Sequence, residues 1–446
     1  MSQKRSLIQG TLILTITGFL SRFLGFFYRI FLSRNFPSDK IGQYQLIFPL
    51  YTLCYSFTSL GIQTAISRTV AQAYSEHDEQ KAGRTLIGGI FISTLLSCLC
   101  TILLQKNASL LAFHFLHNSS CSPFITAMSY TLPFSAIHSC ICGYYYGRRQ
   151  TKIPSVAQLI EQCCRITSVC SLYHFFDKHG HTPSILIVVC GLVIGELAAA
   201  FYCMISFFLS HKTLTKHTRL FFPHSTHLWS LLKLSLPLTL TRVCITLLQS
   251  IEASSIPYKL QTAYCTVQDA LSIYGVLTGM AMPCILCPSA VTNSVALLLL
   301  PTIAEIQAKK EQDKLSSLIH KSLFTCFALG LLFCVFFLFF GQWIGTTFFH
   351  TPLAGQFITT LAWLCPFIYS NTTLLSILNG LGKTKETLFI NVLGLFLRII
   401  GIHFIIPIQG IQGYLLTLLI SHLCISILSV FQIHHFLHMN VSLYKK

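Results

Sequence analysis

The sequence predicts an all-α polytopic membrane protein, and two observations support this fold class. The chain has 446 residues, of which 53% are hydrophobic and only 10% charged, and its mean hydropathy is +0.66. Soluble globular proteins have about 25% charged residues. The apolar residues occur in runs near or above the ~20 residues that a helix needs to cross a bilayer. These features argue against a water-soluble enzyme.

Twelve apolar segments follow one another along the chain. The first begins after Lys4 and Arg5 and has no small-residue cleavage site, so we interpret it as a spanning helix and not a signal peptide. The polar stretches between segments are short, and even those near 211–227 and 307–317 are too small for a catalytic domain. The approximate bounds are 7–32, 41–72, 84–105, 122–146, 153–176, 183–210, 228–256, 271–306, 318–342, 356–380, 386–407 and 411–436.

The distribution of basic residues predicts the orientation. With the N-terminus inside, the inner segments hold 19 Lys and Arg residues and the outer segments hold 5. Short cytoplasmic loops are enriched in Lys and Arg, so both termini are expected on the cytoplasmic side of a bacterial cytoplasmic (inner) membrane. The net charge of +17 therefore mostly encodes orientation, and no nucleic-acid partner is expected.

A weak internal repeat predicts two lobes. The stretch GYYYGRRQTKIPSVAQLIEQCCRI starts at Gly143, and NGLGKTKETLFINVLGLFLRI starts at Asn379. Each has a glycine at a helix end, a basic turn, and then a helix with an arginine near mid-depth. Six spans per copy give both copies the same orientation, as in parallel-repeat transporters. We expect an N-terminal lobe at 1–210, a cytoplasmic linker at 211–227 and a C-terminal lobe at 228–446, related by a parallel pseudo-two-fold axis.

The first span carries two arginines on one face and no acidic residue. Arg22 and Arg29 are seven residues apart, which places them on the same side of a helix. A charge at the bilayer centre costs about 2.5–3.5 kcal/mol and needs a partner or a watery cavity. We expect both to face a polar cavity and hold an anionic substrate, because guanidinium suits phosphate. The alternative is that Arg29 extends to the headgroups and Arg22 pairs with an acid elsewhere.

Other deep charges divide into candidate substrate ligands and candidate ion pairs. Arg242 and Arg398 are further candidate substrate ligands in the cavity, and the excess of arginine favours an anionic cargo. The pairing or ion-coupling candidates are Glu161 and Arg165, which are four residues apart on one helix face, together with Glu196 and Glu252.

No cofactor, metal site or catalytic group is expected. The cysteines lie mostly in apolar runs, where they behave as small hydrophobes. CxxC pairs with zinc spacing do not occur, and the 18 histidines form no HExxH or HxH pattern. Gly143 and Gly147 form a GxxxG, which indicates close helix packing.

Several stretches together resemble a known family. They are GFLSRFLGFFYRIFLSR, GQYQLIFPLY and LGIQTAISRTVAQA in the first two spans, and PLTLTRVCITLLQSIEASSIPYKLQ, LSIYGVLTGMAMPCILCPSAVTNSVALLLLPTIAEIQA and NGLGKTKETLFINVLGLFLRI in the second half. This set is similar to the stage V sporulation protein B-like polysaccharide flippases of the multidrug/oligosaccharidyl-lipid/polysaccharide exporter superfamily.

The resemblance implies two six-helix lobes and alternating access for a lipid-linked saccharide used in spore cortex or other wall peptidoglycan. It also implies that first-span arginines, here Arg22 and Arg29, contact the diphosphate. Many relatives have fourteen spans, with a lipid-tail groove in the last two, whereas twelve are predicted here.

Three functions are compared. The favoured one is an alternating-access flippase for a polyprenyl-diphosphate-linked saccharide such as lipid II, acting as a monomer in contact with membrane lipids, with Na⁺ or H⁺ coupling left open. The alternative is a cation-coupled multidrug antiporter on the same fold, for which Glu196 and Glu252 are the candidate acids. A membrane glycosyltransferase or ligase is disfavoured because the outer loops are short. No enzymatic activity is expected.

Overall fold

The computed structural model describes residues 2–210, 225–263, 266–309 and 311–444. Within these ranges the secondary structure is helical and contains no strand. The segment 211–224, which makes up most of the predicted linker, lies outside the described residues. Six basic residues that are predicted on the inner side also lie outside the described residues: Lys212, Lys216, Arg219, Lys310, Lys445 and Lys446.

The helices of the first half follow the predicted spans. Helix α1 is Ser2–Asn35, α2 is Ser38–Tyr55, and a π-helical turn at Ser56–Leu60 joins α2 to α3, Gly61–Ser75. The remaining helices are α4 (Glu79–Lys106), α5 (Ala108–His114), α6 (Ser122–Ser129), α7 (Thr131–Gly147), α8 (Lys152–Lys178) and α9 (Leu186–Ser210).

The second half begins with the long helix α10, Ser225–Thr262, followed by α11, Val267–Val276. A π-helical turn, Leu277–Ala281, leads into α12, Met282–Leu286. The later helices are α13 (Ser289–Ala308), α14 (Gln312–Thr347), α15 (Pro352–Leu361), α16 (Cys365–Gly380), α17 (Thr384–Phe404) and α18 (Ile406–Tyr444, kinked at Gly410).

The predicted span 271–306 is not one uninterrupted helix. It is divided at Cys287 and Pro288, between α12 and α13. Proline has no N–H to continue the helical ladder, and it restricts the residue before it. The backbone there changes to bonds of three-residue spacing, from Cys287 N–H to the Cys284 carbonyl and from Ala290 N–H to the Cys287 carbonyl.

Nine helical stretches in the described part of the chain are long and apolar enough to cross a membrane. They identify a multi-pass membrane protein of the all-α class. The stretches are Glu79–Lys106, Leu186–Ser210, Leu231–Thr262, Val267–Leu286, Ser289–Gln307, Gln312–Thr347, Pro352–Gly380, Thr384–Phe404 and Ile406–Leu437.

The chain divides into two compact units. Unit 1 comprises residues 1–25 and 43–250, and unit 2 comprises 26–42 and 251–446. Residues 26–42 therefore group with the second half of the chain, and residues 225–250 group with the first. In unit 1 a buried cluster built on α3, α4, α7 and α9 forms a core, and in unit 2 a cluster on α13, α14, α16, α17 and α18 does so.

Glycines allow close helix packing inside unit 1. A Cβ added at Gly143 would lie 2.7 Å from the carbonyl oxygen of Gln63, and one at Gly147 would lie 2.6 Å from that of Ser67. Both distances are shorter than van der Waals contact. The GxxxG motif of α7 therefore lies on the face that packs against α3. This packing helps to set the position of the polar residues on α7.

Candidate functional site

Unit 1 contains a buried polar cluster centred on Glu196 of α9. The Nδ1 atom of His138 lies 3.2 Å from Glu196 Oε2, and the Tyr51 hydroxyl donates a 3.5 Å hydrogen bond to Glu196 Oε1. Tyr51 also bonds with the Ser135 hydroxyl at 2.8 Å. The cluster thus joins α2, α7 and α9. Glu196, predicted to form an ion pair or to couple an ion, thus contacts a histidine and a tyrosine.

Glu161 lies beside this cluster. It forms an ion pair with Arg165 one turn along α8, as the four-residue spacing suggested. One ligand atom each from His138, Glu161 and Glu196 lie within 4.8 Å of one another. Two carboxylates, one guanidinium and one imidazole therefore share a small volume, an arrangement able to exchange a proton or hold a cation.

A second polar cluster lies in unit 2. Arg398 Nη1 of α17 is 3.2 Å from Glu252 Oε1 of α10, and the Tyr414 hydroxyl of α18 donates a 3.1 Å hydrogen bond to the same oxygen. Only 8% of the Glu252 side chain and 18% of the Arg398 side chain are exposed. Arg398 was predicted to bind substrate, and Glu252 was predicted to form an ion pair or to couple an ion, with no partner named. The pair was missed because the two residues are far apart in the chain.

Close to this pair, Asn371 connects α16 to α18. Its side-chain amide donates a 3.0 Å hydrogen bond to the His422 carbonyl, and its oxygen accepts a 2.7 Å bond from Ser426. Sequence reasoning did not single out these residues. The signal that could have found them is the presence of Asn and His inside otherwise apolar spans.

Arg29 is held by backbone oxygens within unit 2. Its Nη1 donates to the carbonyls of Thr278 at 3.4 Å and Gly279 at 3.2 Å. Both carbonyls belong to the π-helical turn Leu277–Ala281. These acceptors are neutral dipoles that orient the guanidinium.

Arg22 and Arg242 differ from the other two arginines. Both side chains are exposed on their helices. Across the residues that the structure describes, neither makes an ion pair or a hydrogen bond. The suggested acidic partner of Arg22 is therefore not found in that part of the chain. Arg398, by contrast, has an acidic partner in Glu252.

Comparison with known proteins agrees with this architecture. The chain is 26% identical to stage V sporulation protein B of Bacillus subtilis (strain 168) over 430 residues. The aligned region covers 95% of this chain and 83% of the relative. The fold is similar to an inward-facing multidrug resistance MATE family transporter of the MOP superfamily, with a TM-score of 0.76, 13% identity and coverage of 95% and 96% of the two chains. It is also similar to the lipid II flippase MurJ in an inward closed conformation, with a TM-score of 0.74, 16% identity and coverage of 95% and 87%.

The helices and these similarities define a class: a multi-pass membrane protein with the fold of the MOP-superfamily transporters. A family model for MatE matches residues 266–403. The family model described as polysaccharide biosynthesis protein matches residues 7–307, which is more than half of the chain. The chain belongs to this polysaccharide biosynthesis protein family.

Proposed function

We propose that this protein is an alternating-access flippase for a polyprenyl-diphosphate-linked saccharide, such as lipid II or a related envelope or spore-cortex precursor. It acts in the bacterial cytoplasmic membrane, with both termini in the cytoplasm, as a monomer. The observation that carries the proposal is the state of Arg22. This cation lies in the first, apolar helix and has no acidic partner among the described residues.

An unneutralised arginine in an apolar helix favours an anionic cargo. Its charge costs about 2.5–3.5 kcal/mol at the bilayer centre unless water or a counter-ion is present. A diphosphate supplies that counter-ion, and guanidinium binds two phosphate oxygens at once. Arg242 in α10 has the same properties as Arg22, so the two are the primary diphosphate ligands of the proposal.

The other two arginines take lesser roles. Arg29 is oriented by the carbonyls of Thr278 and Gly279, so it anchors α1 within unit 2 and has a supporting role in cargo binding. The charge of Arg398 is neutralised by Glu252. Its contribution to binding is therefore the smallest of the four unless that pair opens during transport.

The lipid part of the cargo rests on family membership and on similarity. Members of the matched family are described by their role in polysaccharide biosynthesis. A lipid-linked saccharide combines an anionic diphosphate, which suits the arginines, with a hydrocarbon tail that stays in the membrane. One protein of similar fold is by name a flippase of lipid II.

Coupling to Na⁺ or H⁺ is proposed for the acidic residues. Glu161 and Glu196 with His138 in unit 1 form the stronger candidate, because two carboxylates lie close together there and one of them, Glu196, contacts no arginine or lysine in an ion pair among the described residues. Glu252 is the weaker candidate, since Arg398 already occupies one of its oxygens.

The proposal is tested by binding of a lipid II-type polyprenyl-diphosphate saccharide to the purified protein. Arg22→Ala/Arg242→Ala removes both primary ligands and leaves Arg29 in contact with its carbonyls. Loss of charged hydrogen bonds worth about 1.5–3 kcal/mol each predicts affinity at least ~10-fold lower. The matched control is Arg84→Ala, an exposed arginine whose Nη2 bonds only to Gln80 at 3.2 Å.

Equal binding by the double variant and the wild type would overturn the assignment of the arginines. The competing function is a cation-coupled multidrug antiporter, which the paired acids Glu161 and Glu196 favour. In proteoliposomes, a wild-type protein that transports a cationic dye and binds no diphosphate lipid supports that competitor. If flipping is unchanged when both the Na⁺ and H⁺ gradients are collapsed, the coupling proposal is wrong.

A further inference from the structure

One histidine and two cysteines come together inside unit 1. One ligand atom each from His138, Cys142 and Cys203 lie within 4.8 Å of one another. Cys142 and Cys203 are buried, with 5% and 0% exposure. No metal site was predicted from the sequence, because these three ligands lie on two helices and form no short motif in the chain.

Helix geometry explains the arrangement. His138 and Cys142 are four residues apart on α7, so they share one face of that helix. Glu196 and Cys203 are seven residues apart on α9 and also share a face. Because α7 packs against α9, the two faces bring His138 beside Glu196 and Cys142 beside Cys203.

We propose that His138, Cys142 and Cys203 form a binding site for a thiophilic divalent cation, with Zn²⁺ as the best fit. Zinc prefers tetrahedral sites of thiolate and imidazole ligands, with Zn–S near 2.3 Å and Zn–N near 2.0–2.1 Å. Those bonds place the ligand atoms roughly 3.4–3.8 Å apart. The observed separations of at most 4.8 Å therefore need only a small contraction.

The charge balance favours zinc over a hard cation at these three ligands. Binding converts the Cys142 and Cys203 thiols to thiolates and releases two protons. Two thiolates neutralise Zn²⁺, so the Zn–S₂N group has no net charge, which reduces the cost of placing it within apolar helices. Na⁺ and Mg²⁺ prefer oxygen ligands and gain little from sulfur.

Glu196 completes the surroundings of this site. Its carboxylate lies 3.2 Å from His138 Nδ1, and metal-binding histidines are commonly oriented by such a carboxylate on the other ring nitrogen. The fourth zinc ligand is then a water molecule, as in zinc sites with three protein ligands. This site is independent of the cargo proposed above.

Co²⁺ titration of the reduced, metal-free full-length protein tests the site, because thiolate–cobalt bonds give an absorption band that oxygen ligands do not. We expect one Co²⁺ per chain, a band that Zn²⁺ displaces, and about two protons released per metal. Cys142→Ser and Cys203→Ser each reduce the band, and the double variant abolishes it. The matched controls keep the band: Cys140→Ser, a buried cysteine on the same helix, and Cys163→Ser, an exposed one.

X-ray absorption of the zinc-loaded wild type provides a test without any substitution. Two sulfur ligands at about 2.3 Å and at least one imidazole nitrogen at about 2.0 Å are expected. Purely nitrogen and oxygen coordination would overturn the proposal. So would a cobalt band that survives in the Cys142→Ser/Cys203→Ser variant, or a metal-free wild type whose Cys142 and Cys203 are joined in a disulfide.

Discussion

At the scale of single residues, the charged side chains inside apolar helices differ by the partner that each one has. Arg398 is neutralised by Glu252, Arg29 is oriented by carbonyls, and Arg22 and Arg242 have neither kind of partner among the described residues. The same residue type thus serves structure at one position and, in the proposed function, binds cargo at another. The partner, and not the arginine itself, separates the two roles.

The Glu252–Arg398 pair is expected to stabilise unit 2. Glu252→Gln keeps the size of the side chain and leaves the Arg398 cation without an anion. Removing one member of a buried pair costs about 3–5 kcal/mol, so the temperature of unfolding should fall clearly in a detergent thermal melt. Glu252→Gln/Arg398→Met should recover much of the loss, because no buried charge remains.

Glu305→Gln is the matched control for that experiment. Its partner Lys309 is four residues away, and both side chains are more than half exposed. Exposed pairs contribute about 0–1 kcal/mol, so this variant should melt close to the wild type. Similar decreases in the unfolding temperature of Glu252→Gln and Glu305→Gln would show that the buried pair stabilises the protein no more than the exposed pair does.

At the scale of elements, two π-helical turns supply acceptors to neighbouring helices. A π-helical turn changes the bonding of the backbone, and such turns are frequent at functional sites. The turn Ser56–Leu60 presents the Thr58 carbonyl, which accepts a 2.7 Å bond from Ser93 of α4. The turn Leu277–Ala281 presents the carbonyls that accept from Arg29 of α1. In each unit, a turn therefore positions a side chain of another helix.

Close packing of α7 against α3 is a second property of elements, and it predicts a mutational result. In Gly147→Ala the added Cβ would lie 2.6 Å from the Ser67 carbonyl oxygen and 2.8 Å from the Val70 Cβ. These neighbours are backbone and a buried β-branched side chain, so the helices must separate. We expect a loss of about 1–3 kcal/mol, measured as a lower thermal unfolding temperature.

Gly83→Ala is the control for the packing prediction. Gly83 lies within helix α4 and has no atom within 4 Å of an added Cβ. Alanine is favoured over glycine in a helix by about 0.5–1 kcal/mol, so this variant should be neutral or slightly more stable. A Gly147→Ala variant as stable as Gly83→Ala would contradict the close approach of α7 and α3.

At the scale of the whole molecule, the distribution of basic residues predicts the membrane orientation. Reporter fusions measure it directly: alkaline phosphatase is active outside the cytoplasm, and green fluorescent protein fluoresces inside. A phosphatase joined after Lys178 should be active and one joined after Arg149 inactive, while a fluorescent protein joined after Lys446 should fluoresce. Activity after Arg149 with none after Lys178 would reverse the predicted orientation.

The class of protein was predictable from sequence because hydropathy is a local property. Apolar runs, their lengths and the sparse charges identify an all-α multi-pass membrane protein, and the family matches agree with that prediction. The pair of Glu161 and Arg165 was also accessible, since residues four apart meet on any helix. One exception among the elements is 271–306, where Pro288 interrupts a pattern that hydropathy alone treats as continuous.

The sequence by itself determined the helical membrane class, the apolar segments and the excess of embedded arginine. Only the tertiary structure decided which charges are paired: Glu252 with Arg398, Glu196 with His138, and Arg29 with the turn at Leu277–Ala281. It also decided that Cys142 and Cys203 meet at His138. The physical reason is that helix formation depends on neighbours along the chain. The partner of a side chain, in contrast, depends on which helix faces pack together, and close glycine contacts such as Gly147 against Ser67 set that packing.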